Sequence, residues 1–206
     1  TLGRDTLLGL VRTPLYVPAL ASALPLALTE AARGRFEPLV GLATALQGGR
    51  PGALAEGMHF SVVCAEDVPR LAQAADRPGA DFGAAFADIY RKVCADWPQG
   101  LVPAAFYTLS PASAATLVLS GGADPVTPPR HGERVAGALG AKARHVVVPE
   151  AGHGVMGLAC LRDAVFRFID AAGDDEALQV DADCARALPR PPAFVPITAA
   201  TVRAAQ

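Results

Sequence analysis

The sequence has few aromatic residues, 6% of the total, and no long uninterrupted hydrophobic run. Its most apolar early stretch, residues 14–28, is broken by Pro14, Pro18 and Pro25. That stretch falls short of the ~20 apolar residues a bilayer span needs, so it is expected as a helix lying on other structure, with no membrane span. No basic stripe occurs, which excludes nucleic acid as an expected partner. Thr1 is not followed by a charged region and an apolar run, so no signal peptide is visible. Phosphate-binding loops, EF-hands and H-E-x-x-H are all missing, and no Cys or His falls at a zinc-ligand spacing. Neither a metal nor a cofactor is expected.

What remains is globular. The 206 residues are 51% hydrophobic with a formal net charge of −2, enough for one large domain or two small ones. Much of the apolar content is alanine, which suits close helix packing. Four cysteines are present, Cys64, Cys94, Cys160 and Cys184, none of them in a C-x-x-C pair. An even count permits two disulfides with three connectivities, the local pairs Cys64–Cys94 and Cys160–Cys184 being favoured. Four buried free thiols satisfy the same count.

The character of the chain changes near Phe106. Residues 1–105 show no convincing strand. Helical patterns punctuated by Pro and Gly are expected over 6–11, 18–33, 36–47, 52–64 and 81–97, with breaks at 67–70 and 76–79. In the third, Leu39, Leu42, Ala43 and Leu46 form a helical stripe. Residues 106–206 alternate instead. Apolar β runs are expected at 117–119 and 145–148. Between them lies a helix opened by Thr127 as cap with Pro at the first position, and after them a helix over about 156–172. The tail from Leu188 is Pro-rich and expected to be extended on the surface. Strand–helix–strand with short connections implies parallel strands. Two such strands cannot form a stable sheet alone, since both faces and both edges need cover, so further strands are expected upstream or from a second copy.

Each β run ends in a Gly/Pro-rich loop. The first reads Ser120-Gly-Gly-Ala-Asp-Pro-Val-Thr-Pro-Pro129 and carries Asp124; the second reads Pro149-Glu-Ala-Gly-His-Gly154 and carries His153. A rigid loop holding a carboxylate, followed one helix later by a histidine between two glycines, suits an orienting acid and a general base. Taken singly, Asp124 is equally a turn former and His153 an ordinary loop histidine. No G-x-S-x-G occurs. Ser22, Ser61, Ser110, Ser113 and Ser120 all lie outside a strand–turn–helix elbow, and Ser120 is expected to point into packing or loop hydrogen bonds. A second cluster, His59-Phe-Ser-Val-Val-Cys-Ala-Glu-Asp-Val-Pro-Arg70, places the adjacent carboxylates Glu66 and Asp67 beside a cysteine, with His59 and Glu66 on one helix face. These carboxylates read either as a site for an ammonium group or, more simply, as an acidic helix end stabilised by Arg70 and solvent.

The Ser-Gly-Gly-Ala-Asp-Pro-Val-Thr-Pro and Gly-His-Gly-Val motifs with the later Cys160 and Cys184 resemble the C-terminal part of α/β-hydrolases of the tripeptidyl-aminopeptidase-like and prolyl-aminopeptidase-like group. The segments Ser61-Val-Val-Cys-Ala-Glu-Asp67 and Cys94-Ala-Asp-Trp-Pro98 are similar to that group's cap. The resemblance implies an α/β fold in which residues 1–105 are a helical cap and residues 106–206 hold the last two parallel strands of the catalytic domain and their helices. It implies Asp124 and His153 as two members of a Ser-Asp-His triad, paired disulfides, Glu66 and Asp67 as binders of a peptide's free amino end, and a periplasmic or secreted location. The implied activity is cleavage of a small peptide or ester, with an aminopeptidase favoured over a carboxylesterase. The chain departs from the group in lacking the nucleophile elbow and the earlier strands, so it is expected to be inactive alone, to need the upstream half or a second copy, or to serve as a non-catalytic interaction module.

Overall fold

A computed structural model describes residues 2–46, 55–74 and 81–196. Helix α1 (Arg4–Arg12) leads through a 3-10 turn (Thr13–Tyr16) into the short α2 (Pro18–Ala21), α3 (Leu24–Ala32) and α4 (Glu37–Thr44). The expected helix over 18–33 is therefore two helices. A proline inside a helix has no N–H to donate and its ring clashes with the preceding turn. The chain breaks at residues 22–23, and Pro25 opens α3 in the first turn, where a missing N–H costs nothing. Leu24, Ala27 and Leu39 are buried together, packed by Leu7, Leu10, Val11 and Leu42. Leu39 is fully buried, as its helical stripe requires, whereas Leu46 lies past the end of α4 and is exposed.

Helix α5 (Glu56–Glu66) continues through a 3-10 segment (Val68–Gln73), and α6 (Ala85–Asp96) packs back on it. The start of the expected 52–64 helix and the expected break at 76–79 lie outside the described residues. A Cys64–Cys94 disulfide joins α5 to α6, with both cysteines buried. Aromatic side chains join the same two helices. His59 Nε2 and the Tyr90 hydroxyl are 2.8 Å apart, Phe60 stacks against Tyr90 and Trp97, and the Trp97 indole donates to Ser61 Oγ at 3.2 Å. The Arg12 guanidinium lies 5.4 Å from the Phe86 ring and 5.5 Å from the Tyr16 ring, linking α6 to the turn after α1.

Strands β1 (Thr116–Gly121) and β2 (Ala143–Val148) pair in parallel, from Thr116 opposite Ala143 to Gly121 opposite Val148. Helix α7 (Pro129–Leu139) makes the crossover. Helix α8 (Ala159–Asp170) seats Leu161 and Ala164 against Val146 and Val148, and α9 (Asp174–Leu178) follows. A Cys160–Cys184 disulfide closes this second core. Ser120 is buried beneath α7, its hydroxyl 2.9 Å from His145 Nε2. The extended residues after Leu188 turn back across the molecule, and the Phe194 N–H donates to the Ser22 carbonyl at 2.9 Å. Among the described residues, no helix is long and apolar enough to cross a membrane.

The Cys64–Cys94 bridge closes a loop of sequence separation 30, worth about 3.5 kcal/mol by loop-closure entropy. Urea unfolding of a Cys64→Ala/Cys94→Ala variant is expected to show a loss of that order relative to the oxidised chain. A loss below about 1 kcal/mol would show that the bridge constrains little of the unfolded ensemble.

Candidate active site

Because the two strands are parallel and end in register, the loops that follow them leave the sheet side by side. Backbone hydrogen bonds tie one loop to the other: the Gly122 N–H donates to Val148 O at 2.7 Å and the Ala123 N–H to Ala151 O at 2.9 Å. Asp124 and His153 thereby meet. His153 Nδ1 lies 3.0 Å from Asp124 Oδ2. The Asp124 side chain is only 4% exposed and that of His153 42% exposed. The carboxylate is shielded and the imidazole reaches solvent.

Asp124 is held by more than the histidine. Its Oδ1 accepts the backbone N–H groups of Val126 at 2.8 Å and Thr127 at 3.0 Å, and its Oδ2 accepts the Thr127 hydroxyl at 2.8 Å. Burial pushes the Asp124 carboxyl upward. The two backbone donors, the Thr127 hydroxyl and His153 outweigh it and hold the group below its usual value. The structure reassigns Thr127: the expected cap of α7 makes no capping bond, Pro128 stands at that position, and the hydroxyl serves the carboxylate instead. A buried carboxylate gains more from an O–H donor than does a helix end next to solvent. The spacing Asp-x-x-Thr after a strand is the signal in the sequence that would have found this clamp.

His153 is fixed from its other side by the N-terminal helices. Its backbone N–H donates to the Tyr16 carbonyl at 2.8 Å, and the Tyr16 ring packs edge-on against the imidazole with centroids 5.3 Å apart. Gly152 makes this approach workable. A Cβ there would lie 2.9 Å from Pro18 Cδ and press still harder on the Tyr16 carbonyl. Gly154 has φ of +94°, a conformation L-residues rarely adopt. With Nδ1 engaged by Asp124, Nε2 is the ring nitrogen left over, and it makes no hydrogen bond among the described residues. The arrangement is that of an oriented base: a carboxylate fixing the tautomer and stabilising the imidazolium formed when Nε2 takes a proton. None of the five serines hydrogen-bonds His153. Ser22 and Ser61 donate to the carbonyls of Ala19 and Gly57, and Ser120 pairs with His145.

Glu66 and Asp67 stand elsewhere. They end α5, where the Tyr107 hydroxyl donates to the Glu66 carbonyl at 2.9 Å. Arg70 lies over the Tyr107 ring, 4.1 Å from its centroid, and forms no ion pair with either carboxylate. Neither residue lines the cavity at His153, which has a volume of about 290 Å³ between the His153 loop, residues 16–19 and the chain after Leu188. That cavity, walled in part by Tyr16 and Pro18, was not legible in the sequence. Among the described residues no cluster of His, Cys, Asp and Glu could hold a metal ion.

A carboxyl held low in the folded state contributes stability above its unfolded value of about 3.9, and that contribution is lost as pH falls through the folded value. Denaturant midpoints recorded from pH 6 to pH 2 are expected to fall less steeply below pH 4 for Asp124→Asn than for the unaltered chain. Identical acid limbs would show that Asp124 is not held in this way.

No curated protein and no solved structure matches the chain. The family described as TAP-like protein, a group of α/β-hydrolases, matches over residues 79–184, a span that takes in α6, both strands, Asp124, His153 and all but the first of the four cysteines. The parallel strand–helix–strand unit agrees with a partial α/β fold of that kind, and the chain belongs to the TAP-like α/β-hydrolases.

Proposed function

We propose that this chain is the cap (1–105) and the C-terminal catalytic part (106–206) of a serine hydrolase that cleaves short peptides from their free amino end. The observation that carries the reading is the 3.0 Å contact between His153 Nδ1 and a buried Asp124 with every polar atom satisfied. In this reading Asp124 orients His153. His153 Nε2 takes the proton of a serine hydroxyl as that oxygen attacks the scissile carbonyl, then delivers it to the leaving amine. Water repeats the sequence on the acyl-enzyme.

The serine is supplied from outside this sequence. A two-stranded parallel sheet does not stand alone, and α8 leaves Phe166 and Ile169 more than half exposed, which supports cover by preceding strands of the same protein rather than a free fragment. The two disulfides support a periplasmic or secreted location. Glu66 and Asp67 give the cap an acidic rim that attracts cationic amino ends, the feature that favours peptides over neutral esters.

A fluorophosphonate probe, which reacts with an activated serine, separates the readings. The 206 residues alone are expected to stay unlabelled. A chain extended upstream to a strand–turn–helix serine is expected to label, and His153→Ala to abolish it, with kcat falling about 10⁴-fold for Asp124→Asn. Labelling of the 206 residues alone, or of the extended His153→Ala variant, contradicts the proposal.

A further inference from the structure

The acid in the notable place is Glu150. It sits three residues before His153 in the same loop and lines the same cavity of about 290 Å³. The remaining walls are largely apolar, with Tyr16, Pro18, Leu158 and Leu188 among them. Among the described residues Glu150 is the one carboxylate on this cavity, no Lys or Arg lines it, and Glu150 makes no hydrogen bond or ion pair. Arg190 shares an adjoining cavity of about 410 Å³ with Glu150, yet forms no ion pair with it. The opposite holds for Asp124, 7% exposed and fully engaged, so the two acids of this region differ in kind. One carboxylate is consumed by the fold and the other is left open beside the base.

We infer that the cavity at His153 is the subsite for the first residue of the substrate, with Glu150 binding its protonated α-amino group and the apolar walls taking a medium-sized aliphatic side chain. The inference rests on the hydrolase reading above and adds to it the group that recognises the amine. A charge-assisted hydrogen bond to an ammonium in a partly desolvated cavity is strong enough to select charged over acetylated amino ends. The volume falls at the lower edge of the roughly 300–1,000 Å³ of drug-sized pockets, which suits one or two amino-acid residues. Anchor and base lie on one short loop. Three extended residues span at most about 11 Å, so only bonds close to the free amino end come within reach of His153. Glu66 and Asp67, at the end of α5, then act on the approach of the substrate and not in the contact itself.

The test needs no turnover. The isotope-labelled chain, extended upstream to complete the sheet and with its nucleophile serine replaced by alanine, is titrated by NMR with L-leucinamide and with N-acetyl-L-leucinamide at pH about 6.5, where an α-amino group is protonated. Leucinamide is expected to shift the Glu150 and His153 side-chain signals and to bind roughly tenfold or more tighter than the acetylated compound. Glu150→Gln is expected to remove that preference while leaving the acetylated compound's binding unchanged, and Glu150→Lys to favour N-acetyl-L-leucine, which carries a carboxylate. Equal binding of the two amides overturns the inference. So does a preference that survives Glu150→Gln, or one that disappears in Glu66→Gln/Asp67→Asn. Fluorophosphonate labelling of the extended chain is independent of all these outcomes. Labelling without an amine preference removes the Glu150 subsite and leaves the hydrolase standing; an amine preference without labelling does the reverse.

Discussion

The in-register ending of two parallel strands is the constraint on which the site depends. With Gly121 opposite Val148, the loops that follow are only a hydrogen bond apart, and Asp124 and His153 meet without either residue being stretched toward the other. A slip of one residue in that register would turn every side chain of a strand to the other face and separate the loops. The register is secured from below by Val146, Val148 and Leu161 in a common core and by the Cys160–Cys184 bridge behind it. The meeting of Asp124 and His153 at the top of the sheet is thus set by packing at its centre.

The N-terminal helices take part in the same arrangement. The backbone of Tyr16 holds the backbone of His153, its ring flanks the imidazole, and Arg12 joins that ring to Phe86 on the disulfide-bridged α5–α6 pair. Tyr16 and Pro18 wall the cavity at His153, and α6 is joined to His153 through three successive contacts, Phe86 to Arg12, Arg12 to Tyr16 and Tyr16 to His153. The acid side is built differently. Asp124 receives four hydrogen bonds from its own loop and His153, so its position is nearly independent of the N-terminal helices.

Much of this was legible in the residues because it rests on local rules. Apolar runs bounded by glycine and proline marked both strands, and the order acid, helix, histidine marked the pair. The pairing of the cysteines followed from proximity together with family resemblance. What was not legible depends on which distant segments meet. The break at residues 22–23 arises from Pro25 outweighing a continuous apolar pattern. Thr127 looked like a helix cap because the sequence does not show that a buried carboxylate competes for its hydroxyl. Nothing in the sequence sets Glu150 apart from other loop acids, since only the fold shows which chain segments wall it in. Glu66 and Asp67, conspicuous as a pair, do not line the cavity at His153.

The central claim is that Asp124 fixes His153 through Nδ1 and leaves Nε2 free for chemistry. The most direct measurement is the imidazole NMR spectrum of a ¹⁵N-histidine-labelled chain. The account predicts a protonated Nδ1 in neutral His153, with a strongly downfield, exchange-protected proton that disappears in Asp124→Ala. A neutral His153 protonated at Nε2, or an Nδ1 proton that is unchanged in Asp124→Ala, would contradict it.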